Sequence, residues 1–150
     1  MRALVFPGQG SQKVGMAKAM VEKYLWAAEM AERADSLLGR PISQICFSGP
    51  EEELKKTVNT QPAIFLASAI LTEWLRLNGY EYAVTAGHSL GEYNALFAAG
   101  VASFDDLIKV VDVRARAMEK ACPAGTGAMS AILMLDRAEV ERVCQEASTE

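Results

Sequence analysis

YAVTAGHSLGE, at residues 82–92, joins an apolar run to a helical pattern through two closely spaced glycines. The run from Tyr82 to Ala86 is short and apolar, which predicts a buried strand. Residues from Glu92 to Ala99 follow a helical pattern that Gly100 ends. The Gly-x-Ser-x-Gly pattern between them predicts a sharp strand-to-helix turn, because residues without side chains let the two elements approach closely.

Ser89, at the centre of this turn, is predicted to be the nucleophile of an acyl-transfer site. Such a turn strains the serine and exposes its hydroxyl at the edge of the sheet. The backbone N–H of Leu90 opens the next helix and points where negative charge would develop on an attacked carbonyl oxygen. The sequence therefore predicts half of an oxyanion hole. Gly-x-Ser-x-Gly also occurs by chance, but the strand and helix around it favour the functional interpretation.

The rest of the chain alternates apolar runs with helical patterns, which predicts an α/β fold with a largely parallel sheet. Residues Ala3 to Phe6 predict another buried strand, which ends at the glycine-containing loop Pro7–Gln12. Helical patterns follow over Val14–Leu38, with a break near Tyr24, and over Glu51–Val58.

A central core helix is predicted over Ala63–Leu77. Asn59 or Thr60 can cap its N-terminus, and Pro62 suits its first turn. Asn78-Gly79 predicts its end.

Arg114 lies within the apolar face of a helix predicted over Ser103–Ala121. A helical wheel places Arg116 on the opposite face. A buried guanidinium needs an anionic partner, and its planar fork suits a carboxylate. From the wheel alone, a structural salt bridge is favoured over a ligand site. The apolar face holds Leu107, Val110, Val111 and Met118, and the opposite face holds Lys109 and Asp112.

Composition excludes several classes of function. The chain has 150 residues, a net charge of −4 and no basic block, so nucleic acid is not an expected partner. Its three cysteines and single histidine form no metal-binding pattern, and a reduced, cytoplasmic setting fits them best. Neither a signal peptide nor a membrane-spanning run is evident. Gly8-Gln9-Gly10 is not a nucleotide-binding loop, because no Gly-Lys-Ser or Gly-Lys-Thr follows it and the dinucleotide-binding spacing is missing.

Four motifs together resemble the malonyl-CoA:acyl carrier protein transacylases of fatty acid and polyketide synthesis. They are Phe6–Gln12, Thr60–Ala63, Gly87–Glu92 and the segment around Arg114, in the family's order and spacing. The resemblance covers the whole chain but about the first half of a typical member. It implies that the chain is a fragment, or that a second chain supplies the rest.

The resemblance also implies a fold in two parts. Residues 1–124 would form the N-terminal part of a hydrolase-like subdomain, a largely parallel sheet with helices on both faces. Residues 125–150 would begin a small ferredoxin-like α+β subdomain, with a strand over Met129–Leu135 and a helix over Asp136–Ala147. Strands such as Tyr82–Ala86 are then expected to lack some pairing partners and cover.

The implied reaction is a ping-pong transfer without a bound cofactor. Ser89 would take the malonyl group from malonyl-CoA, and the phosphopantetheine thiol of acyl carrier protein would collect it. By resemblance, Gln9 would complete the oxyanion hole with the Leu90 N–H, and Arg114 would pair with the malonyl carboxylate. Gln61 would line the pocket, although its place next to Pro62 gives it an equally good structural role.

The family's general base is a histidine beyond residue 150. His88 is the only histidine here, and it is poorly placed to accept the serine proton, because neighbouring side chains diverge in a sharp turn. We expect it instead to pack under the turn. Two alternatives to the transacylase stay open. A serine hydrolase or esterase would use the same turn, although Arg114 argues against it. A catalytically silent fragment would follow from the absent histidine.

Overall fold

The computed structural model describes residues 1–122 and 132–148. In chain order, two strands and eight helices are found there. They are β1 (Ala3–Phe6), α1 (Lys18–Lys23), α2 (Leu25–Leu38), α3 (Ile42–Ser48), α4 (Glu51–Lys55), α5 (Thr57–Leu77), β2 (Val84–Gly87), α6 (Gly91–Ala98), α7 (Phe104–Ala121) and α8 (Arg137–Ala147). The chain is therefore an α/β protein with a small parallel sheet and many helices.

The two strands pair in parallel, with Ala3 opposite Val84 and Phe6 opposite Gly87. The predicted bounds of β1 are confirmed, whereas β2 starts two residues later and ends one residue later than the predicted strand Tyr82–Ala86. The predicted burial of both strands is wrong. Only Phe6 is buried, and Val5 is 76% exposed. Within residues 1–122 and 132–148 the sheet has no third strand, so most side chains of the two strands stay uncovered.

The core forms around α5, where Phe65 is fully buried and packs against the rings of Phe97 and Phe104. Helix α5 has apolar residues on all sides, as expected of a helix enclosed by others. It contacts α3, α4, α6 and α7.

Helix α5 begins at Thr57, earlier than predicted, so Pro62 lies inside the helix. Asn59 and Thr60 do not cap its N-terminus. They donate side-chain hydrogen bonds backwards to the carbonyl oxygens of Glu53 and Leu54, at the end of α4. The two residues thus satisfy carbonyls of the preceding helix, because the single residue Lys56 separates α4 from α5.

Helix α7 starts one residue later than predicted and ends at the predicted residue, and Ser103 caps it, since the Ser103 side chain accepts from the Asp106 N–H. Its orientation differs from the helical wheel in two places. Val110 is 46% exposed, whereas Asp112, assigned to the solvent side, is buried. The buried face consists of Leu107, Ile108, Val111, Asp112 and Ala115.

The break in the first helical pattern lies at Tyr24, as predicted. Helix α3 was not predicted, because its seven residues form too short a pattern, although Ile42 and Cys46 are spaced one turn apart and fully buried.

Residues 132–148 contain α8, which confirms the predicted helix. Of the predicted strand Met129–Leu135, residues 129–131 lie outside the described residues. Residues 132–135 are not a strand and are exposed, so the strand prediction is wrong for that part. Among the described residues, no helix is both long and apolar enough to cross a membrane.

Candidate active site

Ser89 lies in the turn between β2 and α6 and has a backbone φ of 52°. This left-handed conformation costs a residue with a Cβ on the order of 1–2 kcal/mol. The turn is closed by hydrogen bonds from the Gly91 N–H to His88 O (2.9 Å) and from the Glu92 N–H to Ser89 O (3.2 Å). Ser89 is exposed. The strained, exposed serine that the sequence predicts is therefore present.

Two glycines make this turn sterically feasible. A Cβ on Gly87 would overlap the backbone of Gly91, and a Cβ on Gly91 would overlap the carbonyl group of Phe6. The His88 N–H donates to the same Phe6 oxygen (3.0 Å). The turn is thus pressed directly against the end of β1.

Arg114 joins two other predicted site residues. Its Nη2 donates to Ser89 Oγ (3.1 Å), and its Nη1 donates to Gln61 Oε1 (2.6 Å). Its guanidinium also lies over the ring of Tyr93, 5.8 Å from the centroid, which favours a cation there. Helices α5, α6 and α7 therefore converge on one guanidinium next to the serine hydroxyl.

Arg114 is half-buried, and among the described residues no carboxylate pairs with it. The structural salt bridge favoured by the helical wheel is thus not found there. Its partners are a neutral amide and a hydroxyl, so the charge of the guanidinium is not balanced by a protein anion in this part of the chain. Such a group attracts an anionic ligand.

Gln61 is fully buried and has both ends of its amide occupied. Its Oε1 accepts from Arg114, and its Nε2 lies 3.1 Å from Met118 Sδ. These contacts fix which way the amide faces.

Leu90 is fully buried and precedes the first residue of α6. Within the described residues, its N–H has no hydrogen-bond acceptor. An unpaired N–H at a helix N-terminus, adjacent to Ser89, can stabilise negative charge on an oxygen.

Gln9 is brought only into the neighbourhood of this site. It is exposed, and its Nε2 donates to Thr57 Oγ1 (3.2 Å), while no hydrogen bond among the described residues joins it to Ser89 or Leu90. Its loop does reach the turn, because an added Cβ on Gly8 would lie 2.9 Å from the His88 ring and 3.5 Å from Ser89 Cβ.

His88 is exposed, so the packed position expected for it is wrong. Its backbone, and not its ring, is held by the turn, through the hydrogen bonds with Phe6 and Gly91. In the described chain, no hydrogen bond joins the His88 side chain to Ser89 Oγ.

Sequence reasoning missed Tyr93 and a buried ion pair between Arg40 and Asp112. Tyr93 lies four residues after Ser89, about one helical turn along the chain, and that spacing could have pointed to it. The ion pair joins residues 72 apart in sequence, and no local pattern could have found it.

Outside this site, Cys46 is fully buried, and burial raises the pKa of its thiol to about 12. Cys122 and Cys144 are exposed free thiols. Across residues 1–122 and 132–148, no group of three metal-ligating side chains comes together.

Comparison with known proteins bears on this arrangement. The acyl transferase domain family matches residues 3–148. The chain belongs to that family. Among its relatives, the malonyl CoA-acyl carrier protein transacylase of Escherichia coli K12 is 46% identical over 147 residues, which are 97% of this chain and 48% of that protein. The chain thus spans about half the length of such relatives.

Solved structures of the family superpose closely on this chain. An acyl carrier protein S-malonyltransferase from Vibrio cholerae has a TM-score of 0.86 and 43% identity, over 98% of this chain and 48% of that one. A malonyl-transacylase in complex with its type II polyketide synthase acyl carrier protein has a TM-score of 0.88 and 40% identity, over 98% and 48%. The fold of this chain is that of about half of an acyltransferase.

Proposed function

We propose that this chain carries the nucleophile and the acyl-group specificity of a malonyl-CoA:acyl carrier protein transacylase. The observation that carries the proposal is the hydrogen bond from Arg114 to Ser89, with Gln61 on the other side of the guanidinium. A cation within reach of a nucleophile suits an acyl group whose far end is a carboxylate, and malonyl is such a group. The names of the relatives, malonyl CoA-acyl carrier protein transacylases, support the same reaction.

In the first half-reaction, Ser89 Oγ attacks the thioester carbonyl of malonyl-CoA. The serine proton passes to a general base, the C–S bond breaks, and coenzyme A leaves as the thiol after its sulfur takes that proton from the base. The malonyl group stays on Ser89 as an ester. During the attack, the Leu90 N–H stabilises the negative oxygen, and Arg114 releases Ser89 to pair with the malonyl carboxylate.

In the second half-reaction, the phosphopantetheine thiol of acyl carrier protein attacks the ester carbonyl. The C–O bond to Ser89 breaks, and the serine recovers a proton. The reaction exchanges one thioester for another, so it needs no bound cofactor and no metal ion.

The general base comes from outside the described residues in this proposal. Arg114 is the side chain that hydrogen-bonds to Ser89 Oγ here, and a guanidinium cannot accept a proton at neutral pH. His88 is exposed and makes no bond to that oxygen. The other half of the family's length, in the same protein or in a complementing chain, would supply the base and draw Gln9 towards the Leu90 N–H.

The proposed function also implies two subdomains and a cytoplasmic location. Residues 1–124 would belong to a hydrolase-like subdomain with helices on both faces of its sheet, built on the Ser89 turn as its nucleophile elbow. Residues 125–150 would begin a ferredoxin-like subdomain. We place the protein in the cytoplasm, where its substrates malonyl-CoA and acyl carrier protein would meet it. A serine hydrolase is not favoured, because a hydrolase has no use for the unbalanced charge of Arg114.

The test is covalent labelling. The protein, together with the half that supplies the general base, is incubated with malonyl-CoA, quenched in acid and digested, and the peptide that holds Ser89 is analysed by mass spectrometry. We expect a malonyl adduct on that peptide, none in Ser89→Ala, and an unchanged amount in Ser36→Ala, which removes an exposed serine of α2. Adduct in Ser89→Ala would refute the assignment of the nucleophile, and free malonate released without acyl carrier protein would indicate a hydrolase instead.

A further inference from the structure

A buried cluster of charged and polar side chains lies outside the candidate active site, where α5 meets α7. The Arg40 guanidinium donates to Asn59 Oδ1 and to Asp112 Oδ1 through its two terminal nitrogens. The Arg40 and Asp112 side chains are only 19% and 13% exposed. A buried ion pair costs desolvation that its own attraction rarely exceeds, so such a cluster often reflects a demand for geometry.

Arg40 also replaces a backbone hydrogen bond that is missing in α5. Pro62 has no N–H, so the carbonyl oxygen of Val58, four residues earlier, loses its helical partner. Arg40 Nη2 donates to that oxygen at 2.7 Å. The guanidinium therefore closes the break that Pro62 makes in the helix and, with the same nitrogen, holds Asp112 of α7.

The break lies directly beside the candidate active site. Gln61 immediately precedes Pro62, and it accepts the hydrogen bond from Arg114. Asp112 and Arg114 are two residues apart in α7, as Asn59 and Gln61 are in α5. Two residues turn a helix by about 200°, so the Arg40 contacts and the Gln61–Arg114 contact leave each helix in nearly opposite directions. Side-chain contacts therefore join α5 and α7 on both sides of the point where the two helices cross.

We propose that Arg40 and Asp112 are positioning residues, which fix Gln61 and Arg114 relative to each other and so place the guanidinium beside Ser89. The inference rests on the proposed function for its effect on malonyl transfer, but the positioning itself is a property of the fold. Removing Arg40 would leave the Val58 oxygen and the Asp112 carboxylate without this partner. The part of α5 that carries Gln61 would then move relative to α7.

A matched control exists in a second ion pair made with α7. Arg33 of α2 makes a bidentate ion pair with Asp105 of α7, but this pair lies at the surface and does not reach α5. Arg33→Met and Arg40→Met therefore each remove one guanidinium from an ion pair with α7. Only Arg40→Met disturbs the Pro62 break.

The first measurement does not depend on catalysis. In the ¹⁵N-labelled protein, the side-chain NMR signal of Arg114 is assigned by its loss in Arg114→Lys, and its order parameter and hydrogen exchange are measured. We expect Arg40→Met to speed that exchange by roughly tenfold, and Arg33→Met to leave it unchanged. Equal effects of the two variants, or no effect of Arg40→Met, would overturn the proposal.

The second measurement uses malonyl transfer in the same variants. Arg40→Met should raise KM for malonyl-CoA by roughly tenfold, with a smaller change in kcat, and should lower the preference for malonyl over acetyl. Arg33→Met should do neither. A wild-type protein that transfers no malonyl group would refute the proposed function, while the Arg114 signal would still decide the positioning role.

A double variant separates positioning from a general loss of stability. Pro62→Ala restores an N–H that can bond the Val58 oxygen, so it substitutes for one of the contacts of Arg40. We expect Arg40→Met/Pro62→Ala to recover part of the Arg114 order that Arg40→Met loses. If Arg40→Met does not fold, Arg40→Lys provides the same comparison. If Pro62→Ala does not raise the order parameter of Arg114 in the Arg40→Met or Arg40→Lys protein, the role assigned to the Val58 contact is wrong.

Discussion

Arg114 of α7 donates to Gln61 Oε1 of α5 across 2.6 Å, and its other terminal nitrogen reaches Ser89 Oγ. The arginine is thus held by a neutral amide and keeps its charge available to a ligand. A carboxylate in place of that amide would neutralise the guanidinium within the protein. The difference between an amide and an acid at residue 61 therefore bears on which acyl group the site accepts.

Gln61→Glu is expected to abolish most malonyl transfer. The new carboxylate would pair with Arg114 and compete with the malonyl carboxylate, so labelling of Ser89 by malonyl-CoA should fall by roughly tenfold or more. Gln61→Leu should be less harmful, because it leaves Arg114 without a competing anion. Gln145→Glu adds the same charge on exposed α8 and should change nothing. If Gln61→Leu is as inactive as Gln61→Glu, competition for Arg114 is not the cause.

Gly91→Ala is expected to prevent the turn from forming. Its Cβ would overlap the carbonyl group of Phe6, which is backbone and cannot rotate away. We expect a loss of about 3 kcal/mol or more in the free energy of unfolding, measured by urea denaturation. Glu92→Ala, at the exposed next position, should stay within about 0.5 kcal/mol of the wild type. A Gly91→Ala protein of normal stability would show that the turn does not lie against β1.

Thr60→Val tests the contact between α4 and α5. The Thr60 hydroxyl donates to the Leu54 carbonyl oxygen, and Thr60 is fully buried, so the nearly isosteric valine leaves that oxygen unsatisfied. We expect a cost of about 1–3 kcal/mol. Thr72→Val is the control, because the equally buried Thr72 hydroxyl donates to Ser68 O in the helical turn before it. Equal costs for the two variants would argue against the special role of Thr60.

Cys46 should resist thiol reagents, while exposed Cys122 and Cys144 react. Burial disfavours the thiolate and raises the pKa of Cys46 from 9.0 to about 12. A raised pKa means that the folded state holds the proton more tightly than the unfolded state. The resulting stability is complete below pH 9 and is lost as the pH rises towards 12.

Two measurements check this assignment. Native protein at pH 8 should take up label at two cysteines, and denatured protein at three. The free energy of unfolding should also fall less between pH 8 and pH 10 in Cys46→Ala than in Cys144→Ala. Fast labelling of Cys46 in native protein would contradict the burial of this α3 residue against α5.

The local parts of the site could be predicted from the sequence. The turn at Ser89 follows from two glycines between a strand and a helix, and the proximity of Arg114 to Ser89 followed from the family resemblance. The contact between Gln61 and Arg114 could not be predicted, because it depends on how α5 crosses α7. The same holds for Asp112, which the helical wheel placed on the solvent side although Arg40 binds it in the interior.

In the fold, too, local features could be predicted from the sequence, and features that depend on contacts between segments could not. The positions of both strands follow from their apolar runs, but the exposure of Val5 does not, because a pattern cannot show whether another segment covers a strand. Asn59 and Thr60 are residue types typical of an N-cap. Their side chains instead donate hydrogen bonds to carbonyl oxygens of α4, because only one residue separates α4 from α5.

The most direct test of malonyl transfer steered by Arg114 is a competition for Ser89. Wild type, Arg114→Ala and the exposed control Lys109→Ala are each given equal concentrations of malonyl-CoA and acetyl-CoA, and the two adducts on the Ser89 peptide are quantified. We predict a malonyl preference in wild type and Lys109→Ala that falls by roughly tenfold or more in Arg114→Ala. An unchanged ratio of malonyl to acetyl in Arg114→Ala would contradict the account.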